Sequence, residues 1–249
     1  MEQQIAHIVN NLDPITLREM DGVSLMKRTD TKFVIHQKNL IEVLETIKNQ
    51  YRVLEINGNR ILTYSSLYFD TEDKKFYHDH HNGKVNRTKV RMRKYMESNI
   101  CFLEIKQKDG KGKTTKSRIQ INDFETELSP KLVDFIDTTT SKKNNLKPII
   151  WNKFNRITLV NKQAKERLTI DLGLQFKMSS SSKKFKNLVI IEVKQERFDR
   201  TSPVVKSLKE KGINPYSMSK YCIGMTNIYP KLKYNHFKRK ILKINKITA

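Results

Sequence analysis

Charged residues recur at every second position in several short segments of this 249-residue sequence. In Lys89-Val-Arg-Met-Arg-Lys94, strand alternation puts Lys89, Arg91 and Arg93 on one face and Val90 and Met92 on the other. The same division sets Glu104, Lys106 and Lys108 against Leu103 and Ile105, and Lys116 and Arg118 against Ser117 and Ile119. It also sets Arg167, Thr169 and Asp171 against Leu168, Ile170 and Leu172, and Glu192, Lys194 and Glu196 against Ile191 and Val193. Lys32, Val34 and His36 form a weaker member of the set. One such strand is an ordinary half-solvated strand. Together, with Lys and Arg predominating and the acids recurring as Glu-Ile-Lys and Glu-Val-Lys, the segments ask for a common cause. A row of Lys and Arg accepts successive phosphates, Arg as a planar fork and Lys as a point charge. A glutamate among them offers a hard oxygen ligand to Mg2+ or Mn2+. Closing the sheet with these faces inward brings like charges together, at a cost of several kcal/mol unless an anion fills the lumen. The pattern therefore predicts an α+β fold: an antiparallel β-barrel tunnel with a polar, charged interior and helices packed around its apolar outside.

The supporting elements follow from periodicity. Ile5, Ile8, Val9, Leu12, Leu17 and Met20 predict one or two short helices over residues 5 to 27, broken at Pro14. Leu40, Ile41, Leu44 and Ile47 predict a helix capped by Asn39 and running to Gln50. From about Leu62 to Gln195 the period is two, which is the sheet. Asn82-Gly83 is the clearest hairpin signal, and Lys108-Asp-Gly-Lys-Gly112 marks a looser turn. Ser129-Pro130 opens a helix to residue 137, and Ser179 to Ser182 form a polar loop. Ser202 caps a helix that begins with Pro203 and stops at Gly212, and Ser219 caps a last helix through Gly224 to Ile228. The expected organisation is one domain over residues 1 to 228 and a basic extension over 229 to 249, solvated or disordered.

Lys and Arg exceed Asp and Glu by 23 charges, so the protein must bind or tolerate something highly anionic, for which nucleic acid, anionic lipid and polyphosphate all qualify. No apolar run approaches the roughly 20 residues of a membrane span, and Met1 is followed by Glu2, Gln3 and Gln4, so a cytoplasmic, soluble protein is expected. Cys101 and Cys222 lack paired spacing, which excludes a disulfide scaffold and a structural zinc finger. Cys101 is read as a small buried residue. Gly112-Lys113-Thr114 imitates the end of a P-loop, but Gln107 stands where the first glycine belongs. His78, His80 and His81 could bind metal, although a polar turn with solvent-facing histidines explains them. Tyr64, Tyr68, Tyr77 and Tyr95 could stack bases, but strand aromatics are usually core.

The segments Arg28-Thr-Asp-Thr-Lys-Phe33, Leu67-Tyr-Phe-Asp-Thr71, Tyr77-His-Asp-His-His-Asn-Gly83, Arg87-Thr-Lys-Val-Arg-Met-Arg93, Phe102-Leu-Glu-Ile-Lys106, Arg167-Leu-Thr-Ile-Asp171, Ile191-Glu-Val-Lys194 and Ser217-Met-Ser-Lys-Tyr221 occur in this order. Order and spacing together resemble the VTC domain of the vacuolar transporter chaperone polyphosphate polymerases, in its bacterial stand-alone version, within the triphosphate tunnel metalloenzyme superfamily. The resemblance runs from about residue 25 to 228. It implies phosphate-binding roles for Lys32, Arg91, Arg93, Lys106, Lys116, Arg167 and Lys220, with Arg118 as the alternative to Lys116, and a metal role for Glu192. Lys89, Lys194 and Glu104 have the parity to support them. It further implies ATP and polyphosphate as substrates and Mn2+ or Mg2+ as cofactor. Neither an SPX domain nor membrane segments accompany the domain here, so a coupled export role is not expected. Inorganic triphosphatase activity, in which water replaces the phosphate acceptor, and a polyphosphate-binding module without turnover are the alternatives. A nucleic-acid binder would explain the net charge but not the acids within the basic faces.

Overall fold

The computed structural model describes residues 1–21 and 29–248. Among these, eleven strands form one sheet. In chain order the elements are α1 (Glu2–Asn10), β1 (Asp13–Ile15), α2 (Leu17–Asp21), β2 (Thr29–His36), α3 (Gln37–Ile47), β3 (Tyr51–Leu54), β4 (Leu62–Thr71), α4 (Lys75–His81), β5 (Arg87–Tyr95) and β6 (Ile100–Lys108). Then come β7 (Thr114–Ile121), α5 (Pro130–Thr140), β8 (Leu146–Asn161), β9 (Glu166–Met178), β10 (Ser181–Phe185), β11 (Leu188–Gln195), α6 (Pro203–Glu210), α7 (Lys220–Ile228) and α8 (Lys238–Thr248). The main path is β2-β11-β9-β8-β4-β5-β6-β7, all antiparallel; β10 pairs with β9, and β3 joins β8 antiparallel and β1 parallel.

The expected barrel is a curled sheet that hydrogen bonds do not close: among the described residues no ladder joins the edge strands β2 and β7. The curl still brings β6 toward β2, since Lys106 lies within electrostatic reach of Lys32 and Asp30. Its apolar outer surface is covered in two places. Leu40, Val43, Leu44 and Ile47 of α3 and Val204, Val205 and Leu208 of α6 bury with Ile157, Leu159, Leu168, Ile170, Ile191 and Val193. Leu132 and Ile136 of α5 bury with Leu67, Val90, Met92, Leu103 and Ile105. At roughly 1.5–3 kcal/mol for each fully buried aliphatic side chain, these contacts fix which face of every strand looks inward. A third cluster lies at one end of the inner face, where Val34, Ile150, Phe176 and Ile190 meet Tyr221, Ile223, Met225 and Ile228 of α7 and Ile244 of α8. It plugs that end.

Several local expectations are met: α5 and α6 begin at Pro130 and Pro203, Gly212 has φ +68° after α6, and Ser219 accepts a hydrogen bond from Cys222 N at the start of α7. Others change. The span through Pro14 contains β1 between α1 and α2, and the remainder of the expected 5–27 helical region, with Arg28, lies outside the described residues. The cap of α3 is His36, whose ring accepts from Lys38 N (3.0 Å), and not Asn39. Asn82-Gly83 ends α4 and does not make a hairpin. The cause is remote: the buried Asp70 carboxylate at the end of β4 accepts from Phe76 N (2.8 Å) and Tyr77 N (2.9 Å), starting a helix no local signal announces. Ser181 and Ser182 open β10. The basic tail is ordered, with α8 anchored through buried Ile244.

Candidate active site

The inward faces are the charged ones. Strand register places Arg91 opposite Glu104, Lys89 opposite Lys106, Lys106 opposite Lys116 and Glu104 opposite Arg118. On the other wall Glu192 stands between Lys32 and Thr169, Lys194 faces Arg167, and Asp171 faces Arg156. The start of α7 bridges the walls: Lys89 Nζ donates to Ser219 Oγ (3.2 Å), Lys220 donates to Asp171, and the Tyr221 hydroxyl donates to Asp70. Tyr221 also stacks on Tyr68 of β4 with ring centroids 5.1 Å apart. Gly224 permits this approach, because a Cβ there would lie 2.5 Å from Phe176 Cδ1 and 2.8 Å from Ile150 Cδ1.

Three inward carboxylates each sit between two cations. Glu104, 1% exposed, binds Arg91 (2.7 Å) and Lys116 (2.5 Å). Asp171, 2% exposed, binds Arg156 through both oxygens (2.6 and 2.9 Å) and Lys220. Glu192 binds Lys32 and Lys194 (3.1 Å). Each trio keeps one net positive charge. Arg93, buried, adds a further cation and donates to Ser66 Oγ (3.2 Å). At an effective dielectric of about 20, unit charges about 4 Å apart interact by about 4 kcal/mol, so the excess of cations is an unfavourable feature of the free protein that a bound polyanion would relieve.

The protonation states follow. Burial alone would raise the Glu104 carboxyl, but Arg91, Arg93 and Lys116 outweigh it and bring it down to about 2. For Asp171 burial is likewise overcome, by Arg156 and Lys220, and the carboxyl lies well below its usual range. Glu192 is also held well below its usual range, burial being outweighed by Lys194 and Lys32. Burial lowers Lys194 to about 8, against the opposing pull of Glu192. Burial also lowers Lys89 and Lys220.

The residues given phosphate or metal roles from the sequence lie on the described strands β2, β5, β6, β7, β9 and β11 or at the start of α7. Lys116 takes the ion pair to Glu104, whereas Arg118 lies over the Phe102 ring at 4.6 Å. Lys106 is exposed near Lys32, Asp30 and Glu192, and Arg167 lies beside Lys194. Two groups were missed as site residues. Arg156 and Asp171 form a two-pronged pair, and Tyr64, Tyr68 and Phe154 line the cations, Arg156 lying 4.9 Å from the Tyr64 ring centre and Lys220 4.6 Å from that of Phe154. Alternation in Phe154-Asn-Arg-Ile-Thr158 carried the signal for Arg156. The histidines are not a solvent-facing turn: His81 is buried, contacts Asn82 and Asn235 Oδ1 (2.8 Å each) and stacks on His236 at 4.6 Å, tying the tail to α4. Both cysteines are buried.

For a divalent cation, among the described residues no three His, Cys, Asp or Glu side chains form a preformed cage. The donor set instead fits an ion carried in on phosphate oxygens, since Mg2+-like cations commonly use one or two carboxylates and complete their shell with substrate and water. Both carboxylates are paired with cations through both oxygens, but ionised Glu192, whose side chain is 17% exposed against 2% for Glu104, is the better placed to supply such a carboxylate. A cation there would neutralise developing phosphate charge.

The curled antiparallel sheet with a charged, partly plugged lumen defines the triphosphate tunnel class of fold. The sequence profile of the VTC domain matches residues 27–229, and the chain belongs to that family. No curated protein sequence matches the chain. Among solved structures, a candidate adenylyl cyclase from Hippeastrum, described as having a dominant triphosphatase activity, is similar at 15% identity with a TM-score of 0.53, covering 84% of this chain and 98% of that one. A candidate adenylate cyclase from Bacillus halodurans is 13% identical, with a TM-score of 0.49, covering 78% of this chain and 96% of its own. No helix among the described residues is long and apolar enough to cross a membrane.

Proposed function

We propose that the protein is a metal-dependent polyphosphate polymerase that transfers the terminal phosphate of ATP to a polyphosphate chain lying in the basic tunnel. The observation that carries this reading is the series of carboxylate-centred trios on opposed inner walls, each with one surplus positive charge, in a VTC-family chain. A linear polyphosphate presents about one negative charge per internal phosphate and fits such a row, which holds successive phosphates by charge-assisted hydrogen bonds. In the reaction, a terminal oxygen of the chain attacks the γ-phosphorus, the bond to the β–γ bridging oxygen breaks, and ADP leaves with that electron pair. Such a transfer needs alignment and charge neutralisation more than covalent help. Arg91, Arg93, Lys106 and Arg167 act at the transferring group, and Lys32, Lys89, Lys116, Arg118, Lys194 and Lys220 hold neighbouring phosphates. Glu192, seconded by Glu104, offers the carboxylate for Mn2+ or Mg2+.

The triphosphatase activity described for the Hippeastrum protein favours a second reading, hydrolysis in the same tunnel with water as acceptor. Incubating purified protein with ATP and Mn2+, and following polyphosphate and orthophosphate separately, decides between them. Long chains support the polymerase. Orthophosphate alone supports the hydrolase, and tight polyphosphate binding without turnover refutes both.

A further inference from the structure

The inward face of β5 starts one inward position before Lys89, at the half-buried Arg87. Arg87 Nε and His80 Nε2, from the last turn of α4, are both buried and have no hydrogen-bond partner among the described residues. The helix that carries His80 packs against β5, which carries Arg87 and Lys89, and the charges of Lys89, Arg87 and Lys106 all bear on the His80 ring. A buried polar atom left unpaired costs about 1–3 kcal/mol, and folded proteins keep few of them. Two together point to a missing acceptor. Arg87 Nε can only donate. Burial, reinforced by Lys89 and Arg87, lowers His80 to about 2, so its ring is neutral and can still donate through Nε2. The adjacent acid, Asp79, is engaged elsewhere, with Lys75 (2.7 Å) and Lys84 (2.8 Å). What remains is a cluster of donors and cations in line with the basic row, completed by an anion.

We propose that His80 and Arg87, beside Lys89, form an additional phosphate position that continues the row toward the end of α4 and takes a phosphate of a polyphosphate chain longer than the segment held by Arg91, Arg93 and Lys220. This rests on the reading of the tunnel as a polyphosphate site. It makes the pocket at α4 a determinant of chain-length preference.

The test compares binding of tripolyphosphate and of a longer linear polyphosphate by calorimetry, using the full chain and its His80→Phe and Arg87→Gln variants. Each variant should lose about tenfold in affinity for the long chain, the order of one charge-assisted contact, and keep tripolyphosphate affinity within about twofold. Equal losses for both ligands, or no loss for either, would overturn the assignment. If a variant fails to fold, the wild-type His80 ring nitrogens can be followed by NMR. They should shift with the long chain and not with tripolyphosphate, and unmoved resonances under saturating long chain would overturn the proposal. Wild-type protein that binds neither ligand would fail the tunnel reading itself, a result distinct from selective failure at α4.

Discussion

Replacing Glu104 by Gln removes the carboxylate on which Arg91 and Lys116 converge and leaves their charges, with that of Arg93, uncompensated in a site where Glu104 is 1% exposed. A carboxyl brought from 4.5 to about 2 reports about 3 kcal/mol of favourable pairing at neutral pH, at about 1.4 kcal/mol per tenfold change in proton affinity. Breaking a buried ion pair from one side gives a similar figure, about 3–5 kcal/mol. For a chain of this size about 3 kcal/mol corresponds to a melting temperature lower by about 6–12 °C. The pH dependence has a fixed sign. Because the folded carboxyl is depressed, its contribution is complete above the ordinary carboxyl range and is lost as pH falls toward 2. The gap between wild type and variant must therefore narrow in acid. Tripolyphosphate must narrow it too, since a bound anion replaces the lost countercharge and stabilises the variant more than the wild type. Thermal melts at neutral and acidic pH, with and without tripolyphosphate, measure all three effects. A shift below about 2 °C, or less ligand stabilisation in the variant than in wild type, would refute the reasoning.

Other consequences are equally specific. The double variant Arg91→Ala, Arg93→Ala should abolish turnover of ATP while circular dichroism stays unchanged; full activity would remove these residues from the site. Binding of tripolyphosphate should weaken as pH rises above about 8, where free Lys194 loses its proton. Because a bound anion favours the charged amine, binding near that pH should take up protons, measured by calorimetry in buffers of different ionisation enthalpy, and Lys194→Met should suppress the uptake. Gly224→Leu should destabilise the fold by about 1–3 kcal/mol through overpacking against Phe176 and Ile150. It should also weaken phosphate binding by displacing Lys220, read from denaturant titration and calorimetry.

The parts of the fold visible in the sequence are those decided by near neighbours. Alternation showed Arg91 and Arg93 sharing a face while Val90 and Met92 took the other, and burial under α5 is what holds them so. Ser219 before α7 and Pro203 in α6 are local cap chemistry, legible without a fold. What was not legible depends on residues far apart in the chain. Asp70 starts α4 through backbone groups beyond a turn, turning an apparent Asn82-Gly83 hairpin into a helix end. Arg156 gains its place only when β8 and β9 pair and bring Asp171 opposite. The tail becomes α8 because Ile244 finds the apolar plug, a contact that a run of lysines conceals.

The most direct measurement is a crystal structure of the protein grown with tripolyphosphate. The account predicts the anion between the two inner walls, contacting Arg91 and Arg93 from one side and Arg156 and Lys220 from the other. Tripolyphosphate found instead on the outer surface, for example along the lysines of α8, with the space between those arginines left to water, would contradict it.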